Sequence, residues 1–243
     1  MRYELLRMGV CGFNWSIRPE CYCSGIPIPK ELALSSPSEA KYWRAIQNNY
    51  YTRPEQRWTD PQSISEYLLA YGMARVLPAT PLRESRLAKL MKSSRQLLCE
   101  LDRLNLVDVD LDEFEIGGNP LKSKVRELYG SVNKSLKIKR IKENATVVGK
   151  TLHILQPRLF VIWDSLIRDT RDFAGNFEGY WSYLKTAQLG LREVIGDYRS
   201  VSHDPEAAST SVEKSIYEDG IKPITKLYDE ACWAMVRGWL HFR

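Results

Sequence analysis

Three proline-led helix starts constrain this chain more than any other feature. Ser36-Pro37-Ser38-Glu39 sets a capping hydroxyl, a proline at the first helical position and a glutamate three residues after the cap. That combination answers the unpaired N–H groups that open a helix. Asp60-Pro61 and Thr80-Pro81 repeat the cap-then-proline order. Behind the first start come Tyr42, Trp43, Ile46 and Tyr50. Behind the second come Leu68, Leu69, Met73 and Val76, with Pro78 ending the run. Behind the third, Leu87, Leu90, Ser94, Leu97, Leu101 and Leu104 recur every three or four residues, the spacing of one helical face.

The rest of the chain continues in the same idiom. Residues 121–129, 135–141 and 180–198 read as helices, as does a C-terminal run from about Ile221 that carries Ile224, Leu227, Tyr228, Ala231, Met235 and Trp239. Strand-like alternation is confined to residues 107–116. The Asp108, Asp110, Asp112 spacing there is not a calcium loop, because Glu113 stands where that loop needs glycine. Residues 1–35 are rich in Cys, Gly and Pro and read as an irregular leader, residues 203–211 as a polar loop. Gly117-Gly118-Asn119-Pro120 breaks any helix and marks a possible lobe boundary. The expectation is an all-α chain, or nearly so: a leader over 1–35 and a helical bundle over 36–243, two-lobed about residues 117–120.

Composition narrows the function classes. With 44% hydrophobic and 27% charged residues in 243, the chain can fill a core, and no run approaches the roughly 18 apolar residues that span a bilayer. Charges interrupt the apolar stretch at the N-terminus, so a signal peptide is not expected and the cytoplasm is the default location. The five cysteines, Cys11, Cys21, Cys23, Cys99 and Cys232, match no metal-ligand spacing and read as free thiols. No metal or cofactor is expected. Net charge is only +5, but Lys122, Lys124, Arg126, Lys134, Lys137, Lys139, Arg140 and Lys142 crowd one stretch against the single acid Glu127. Such a stretch suits a phosphate backbone, or it is simply a solvated helix face.

That basic stretch leads into residues 144–168, NATVVGKTLHILQPRLFVIWDSLIR. Gly149 permits a tight approach ahead of a helix expected to begin near Lys150, and Pro157 keeps that helix short. Asp164 stands where an N-cap belongs, its carboxylate directed at the free N–H groups of the next helix. An amine and a carboxylate at neighbouring helix starts can do covalent chemistry, or they can hold two helices together. His153, one turn after Lys150, reads as a proton shuttle, a phosphate ligand or a packed core histidine. Trp163 reads as a base-stacking platform or as core.

The segment resembles the helix-hairpin-helix DNA glycosylase superfamily. Gly149-Lys150-Thr151-Leu152 matches the end of that family's hairpin, and Asp164-Ser165-Leu166-Ile167-Arg168 matches its aspartate helix. Val147 stands where the family has the first hairpin glycine, and Asp164 follows Lys150 by 14 residues. The resemblance implies two helical lobes about a cleft, a hairpin that grips phosphate through backbone N–H groups, and a flipped-out base. It implies Lys150 as the nucleophile of a glycosylase that also cuts the strand, and Asp164 as the carboxylate supporting base departure. It implies DNA rather than RNA as the partner, met by Gly149, Thr151, His153, Arg168, Lys137, Lys139, Arg140 and Lys142. Two alternatives stay open: a nucleic-acid binder that keeps the fold without the reaction, and a helical interaction protein. Oligomeric state and lesion identity are open too.

Overall fold

The computed structural model describes residues 6–10, 13–17, 37–137, 144–201 and 223–236. Among them nine α-helices dominate, so the fold is all-α apart from two small hairpins. The helices are α1 (Pro37–Asn49), α2 (Pro61–Ala70), α3 (Thr80–Ser93), α4 (Arg95–Leu101), α5 (Leu121–Leu136), α6 (Ala145–Leu155), α7 (Ser165–Thr170), α8 (Phe177–Val201) and α9 (Ile224–Val236). Short 3-10 turns cover Pro54–Gln56 and Met73–Val76. No helix among the described residues is long and apolar enough to cross a membrane.

The proline-led starts form with instructive differences. Asp60 caps α2, its side chain accepting from the Ser63 amide at 3.1 Å. At α3 the cap position falls on Ala79 instead, without a side-chain cap bond. Thr80 is the first helical residue, and its hydroxyl takes a hydrogen bond from Arg83 at 3.0 Å. Arg83 is 1% exposed, and it also donates to the Ser65 hydroxyl and the Pro78 carbonyl, which ties α3 to α2. The leucine run expected as one helix breaks at Ser94 into α3 and α4, which keep Leu87, Leu90, Leu97 and Leu101 buried.

The leader is not wholly irregular. Leu6–Val10 (β1) and Phe13–Ile17 (β2) pair antiparallel, with Leu6 opposite Ile17 and Val10 opposite Phe13. The rest of residues 1–35 lies outside the described residues, as do the polar loop at 203–211 and Trp239. The expected strand over 107–116 shrinks to Glu115–Ile116 (β3), paired with Asn119–Pro120 (β4). Gly117 and Gly118 between them have φ of +58° and +72°, the left-handed pair that a two-residue hairpin requires. Residues on both sides of this turn, from Leu101 and Leu111 to Val125 and Leu128, share one continuous buried core, which also includes Tyr42, Trp163 and Tyr228.

Helix α6 lies in the middle of that core. Ten of its eleven residues are buried, from Ala145 to Leu155 with Thr146 excepted. It packs against α1, α2, α5 and α8. A helix covered on every side must carry apolar residues all round, and Val147, Val148, Leu152, Ile154 and Leu155 meet that need. Lys150, Thr151 and His153 are the exceptions that its surroundings must satisfy. After α6 the chain runs extended through Val161 and Ile162 to Asp164, pinned by the Tyr180 hydroxyl on the Val161 carbonyl at 3.0 Å. Thr225, at the start of α9, donates to the Pro157 carbonyl and so fastens the last helix onto the same segment.

Candidate functional site

Lys150 and Asp164 meet. The Lys150 ammonium lies 3.4 Å from the Asp164 carboxylate and 4.7 Å from the centre of the Tyr71 ring. Their approach differs from the expected one in a way that matters physically. Helix α6 begins at Ala145, not near Lys150, because Asn144 is its cap and accepts from the Val147 amide at 3.3 Å. Residues 146–149, expected as a hairpin, are therefore helical turns. Lys150 sits mid-helix, beyond the first turn over which a helix dipole acts on an amine. Asp164 does occupy a helix start, capping α7 through a bond from the Leu166 amide at 2.9 Å.

Gly149 serves close approach rather than a turn. A Cβ there would stand 2.8 Å from Trp163 Cβ and 3.2 Å from Trp163 N. Only a residue without a side chain lets the backbone of α6 press against residue 163 and bring its neighbour, Lys150, beside Asp164. Trp163 itself is fully buried, its ring 5.2 Å from that of Tyr180 and stacked 6.2 Å from that of Tyr183. In this arrangement it is core, not a free platform for a base.

Burial sets the electrostatics. The Lys150 side chain is 4% exposed and that of Asp164 23%, so the pair touches water on the aspartate side. Loss of hydration pushes the Lys150 amine below its usual range; Asp164 and Asp229 pull it back, and Lys226 adds to the depression. Asp229 and Lys226 both come from α9, where Lys226 pairs with Asp229 at 3.0 Å and with Glu230 at 3.3 Å. Burial pushes the Asp229 carboxyl up, opposed by Lys226 and Lys150. Cys232, on the same helix, is a buried thiol pushed up to about 12, chiefly by loss of hydration. It is inert as a nucleophile.

The other expected site residues separate into three groups. Thr151 and His153 are fully enclosed, Thr151 donating back to the Val147 carbonyl at 2.8 Å. His153 contacts the Phe160 carbonyl at 2.7 Å and the Tyr42 hydroxyl at 2.9 Å, and burial lowers its pKa to about 3. Neither fronts solvent where a phosphate would lie, and Gly149 is buried beside them. Arg168 is partly exposed but donates to its neighbour Asp169 at 2.7 Å. Lys137 is exposed at the end of α5, while Lys139, Arg140 and Lys142 lie outside the described residues. Upstream on α5, Lys122 and Arg126 both pair with Glu178, which neutralises part of the basic stretch.

Sequence reasoning missed Tyr42, Tyr71, Lys226, Asp229 and Glu230. Lys226, Asp229 and Glu230 are spaced three and four residues apart and share one face of α9, but Ile224, Tyr228 and Cys232 line the adjacent one, so no local signal marked those charges as buried. Among the described residues, no cluster of His, Cys, Asp and Glu is arranged to hold a metal ion. Comparison with protein-family models, with curated proteins and with solved structures finds no match to this chain.

Proposed function

We propose that this chain is a DNA glycosylase with lyase activity, using Lys150 as nucleophile and Asp164 as its supporting carboxylate. One observation carries the reading: an amine that burial drives toward its neutral form is 3.4 Å from a carboxylate fixed at a helix cap. A nucleophilic lysine needs the burial, because only the unprotonated amine attacks and a desolvated site favours it, while the Asp164 carboxylate opposes that shift.

In the proposed reaction the Lys150 nitrogen lone pair forms a bond to the sugar C1′ of an extruded nucleotide. The C1′–N bond to the base breaks, and its electron pair leaves with the base, which takes up a proton. The amine loses a proton; the C1′–O4′ bond then breaks, its electron pair leaving on O4′, which takes up a proton, and the nitrogen lone pair makes the C1′ iminium. Loss of a C2′ proton then expels the 3′ phosphate. The fixed Asp164 charge stabilises the positive charge on the sugar as the base departs. Asp164 and Tyr71 are the partly exposed groups against the Lys150 ammonium, so in this reading a nucleotide reaches the amine from their side.

Strand cleavage of abasic-site duplex DNA tests the reading. Purified chain should nick the strand at the abasic site, and Lys150→Ala should abolish nicking while binding persists. Wild-type chain that leaves the duplex intact defeats it. A second reading, a nucleic-acid binder without the reaction, is favoured by the 4% exposure of the Lys150 side chain and by its mid-helix position. That reading expects salt-sensitive duplex binding with no strand cleavage.

A further inference from the structure

Helices α3 and α5 pack against each other, and the side they leave to solvent is basic. Arg86 joins them, its guanidinium donating to the Ser135 and Lys137 carbonyls at 3.4 Å each. Those carbonyls close α5, where a cation answers the negative end of a helix. The contact sets the middle of α3 beside the end of α5. At about 3.6 residues per turn, Lys89 and Lys92 follow Arg86 on the outward side of α3, and both are exposed. Glu84, the acid of that helix, lies across it from Arg86. Lys134 and Lys137 are exposed at the adjoining end of α5, while its acid, Glu127, is about two turns before Lys134.

None of these four lysines is drawn into an ion pair among the described residues. That separates this end of α5 from its beginning, where Glu178 holds Lys122 and Arg126. One lysine left to solvent on a helix face is ordinary. Several together, with the nearby carboxylates turned elsewhere, keep a positive field that attracts a polyanion. Ammonium ions on flexible stems act as point charges without a fixed fork. They suit a regular row of phosphates better than a carboxylate that wants bidentate contact. Helix α3 has 14 residues, about 21 Å, the rise of about six base pairs. From Lys137 the sequence runs on into Lys139, Arg140 and Lys142, beyond the described residues.

We propose that Lys89 and Lys92 of α3, together with Lys134 and Lys137 of α5, bind the phosphate backbone of duplex DNA. Arg86 holds the two helices in place and makes its contacts within the protein. Duplex DNA is the partner in both the catalytic and the binding reading above, on which this surface rests. Helix α3 is the part of it that no sequence motif marked.

Fluorescence anisotropy of a labelled duplex over a series of salt concentrations tests the surface. Each neutralised phosphate contributes about −0.9 to the slope of log affinity against log salt. Lys89→Gln/Lys92→Gln should therefore flatten the slope by about two, and adding Lys134→Gln by about one more. Arg53→Gln/Arg103→Gln removes the same charge from exposed positions outside this face and should leave the slope unchanged. All five side chains are exposed, and circular dichroism checks that each variant keeps its helices. A wild-type chain whose salt-sensitive binding survives unchanged in the lysine variants overturns this surface while the DNA reading stands. An equal loss in the arginine pair also overturns it, since net charge and not place would then set the affinity. Phosphatidylserine vesicles are the second probe. Lysine variants that lose vesicle binding yet keep the duplex slope assign the face to a membrane surface instead. A wild-type chain with no salt-sensitive duplex binding overturns the surface and the DNA reading together.

Discussion

Acid sensitivity of the fold should trace to His153. Its Nδ1 lies 2.7 Å from the Phe160 carbonyl, which can only accept, so Nδ1 carries the proton and donates. Nε2 is then the acceptor for the Tyr42 hydroxyl at 2.9 Å. A second proton on the ring would place an N–H against that hydroxyl, in a site closed to solvent and within the fields of Lys226 and Lys150. Burial is the largest of these effects, and together they lower the pKa from 6.5 to about 3. The folded ring therefore stays neutral where the unfolded ring takes a proton, so the unfolded state binds more protons below pH 6.5. Stability must fall as pH drops from 6.5 toward 3, by about 1.4 kcal/mol per pH unit and about 5 kcal/mol in all. Buried Asp229 works in the opposite sense, because its raised pKa makes the folded chain gain protons on mild acidification. The informative quantity is thus the difference between wild type and His153→Gln, measured by urea unfolding from about pH 7 to about pH 4.5. Over that span wild type should lose about 3 kcal/mol more than the variant. Equal losses in the two chains, or a His153 ring titrating near 6.5 by NMR, would refute the reasoning.

Substitutions at three further positions probe the site's construction. Gly149→Ala gains about 1 kcal/mol of helix propensity but forces a methyl to 2.8 Å from Trp163 Cβ, an overpacking cost of about 1–3 kcal/mol. Thermal unfolding should show a net loss of about 1 kcal/mol, and a more stable variant would remove the close-approach explanation. Asp164→Asn keeps the cap of α7 while deleting the charge beside Lys150, so it should cost about 1–2 kcal/mol, less than a fully buried pair because Asp164 is 23% exposed. Asp164→Ala should lose about 1 kcal/mol more through the cap, and equal stabilities of the Asn and Ala chains would contradict the capping role. Glu178→Gln releases Lys122 and Arg126 on α5, and under the DNA-binding reading duplex affinity should rise and its salt dependence steepen. Unchanged affinity would remove the exposed side of α5 from the binding surface.

Much of the helical architecture was legible because its signals are local. The Asp60-Pro61 start and the leucine spacing after Thr80-Pro81 depend on neighbours in sequence, and they survive folding nearly intact. The convergence of Lys150 with Asp164 was also within reach, since a short helix, a proline and a cap leave the chain little choice of path. The hairpin expectation failed where a local signal was ambiguous. Gly149 suits a turn as well as it suits a crowded helix, and only the position of Trp163 decides between them. Asn144 carried the deciding cap signal, five residues earlier. The burial of α6 was hidden because Lys150, Thr151 and His153 look like a polar face until Tyr42, Asp164 and the Phe160 carbonyl arrive as partners from elsewhere. The contribution of α9 was hidden for the same reason, its Lys226 and Asp229 lying some 60 residues beyond Asp164.

Borohydride trapping on abasic-site DNA bears most directly on Lys150 as a nucleophile. Reduction of the iminium should leave one covalent protein–DNA adduct, mapped by peptide mass spectrometry to Lys150, absent in Lys150→Ala and retained in Lys226→Arg. An adduct at any other amine, or none from a folded chain that binds the duplex, would contradict the assignment.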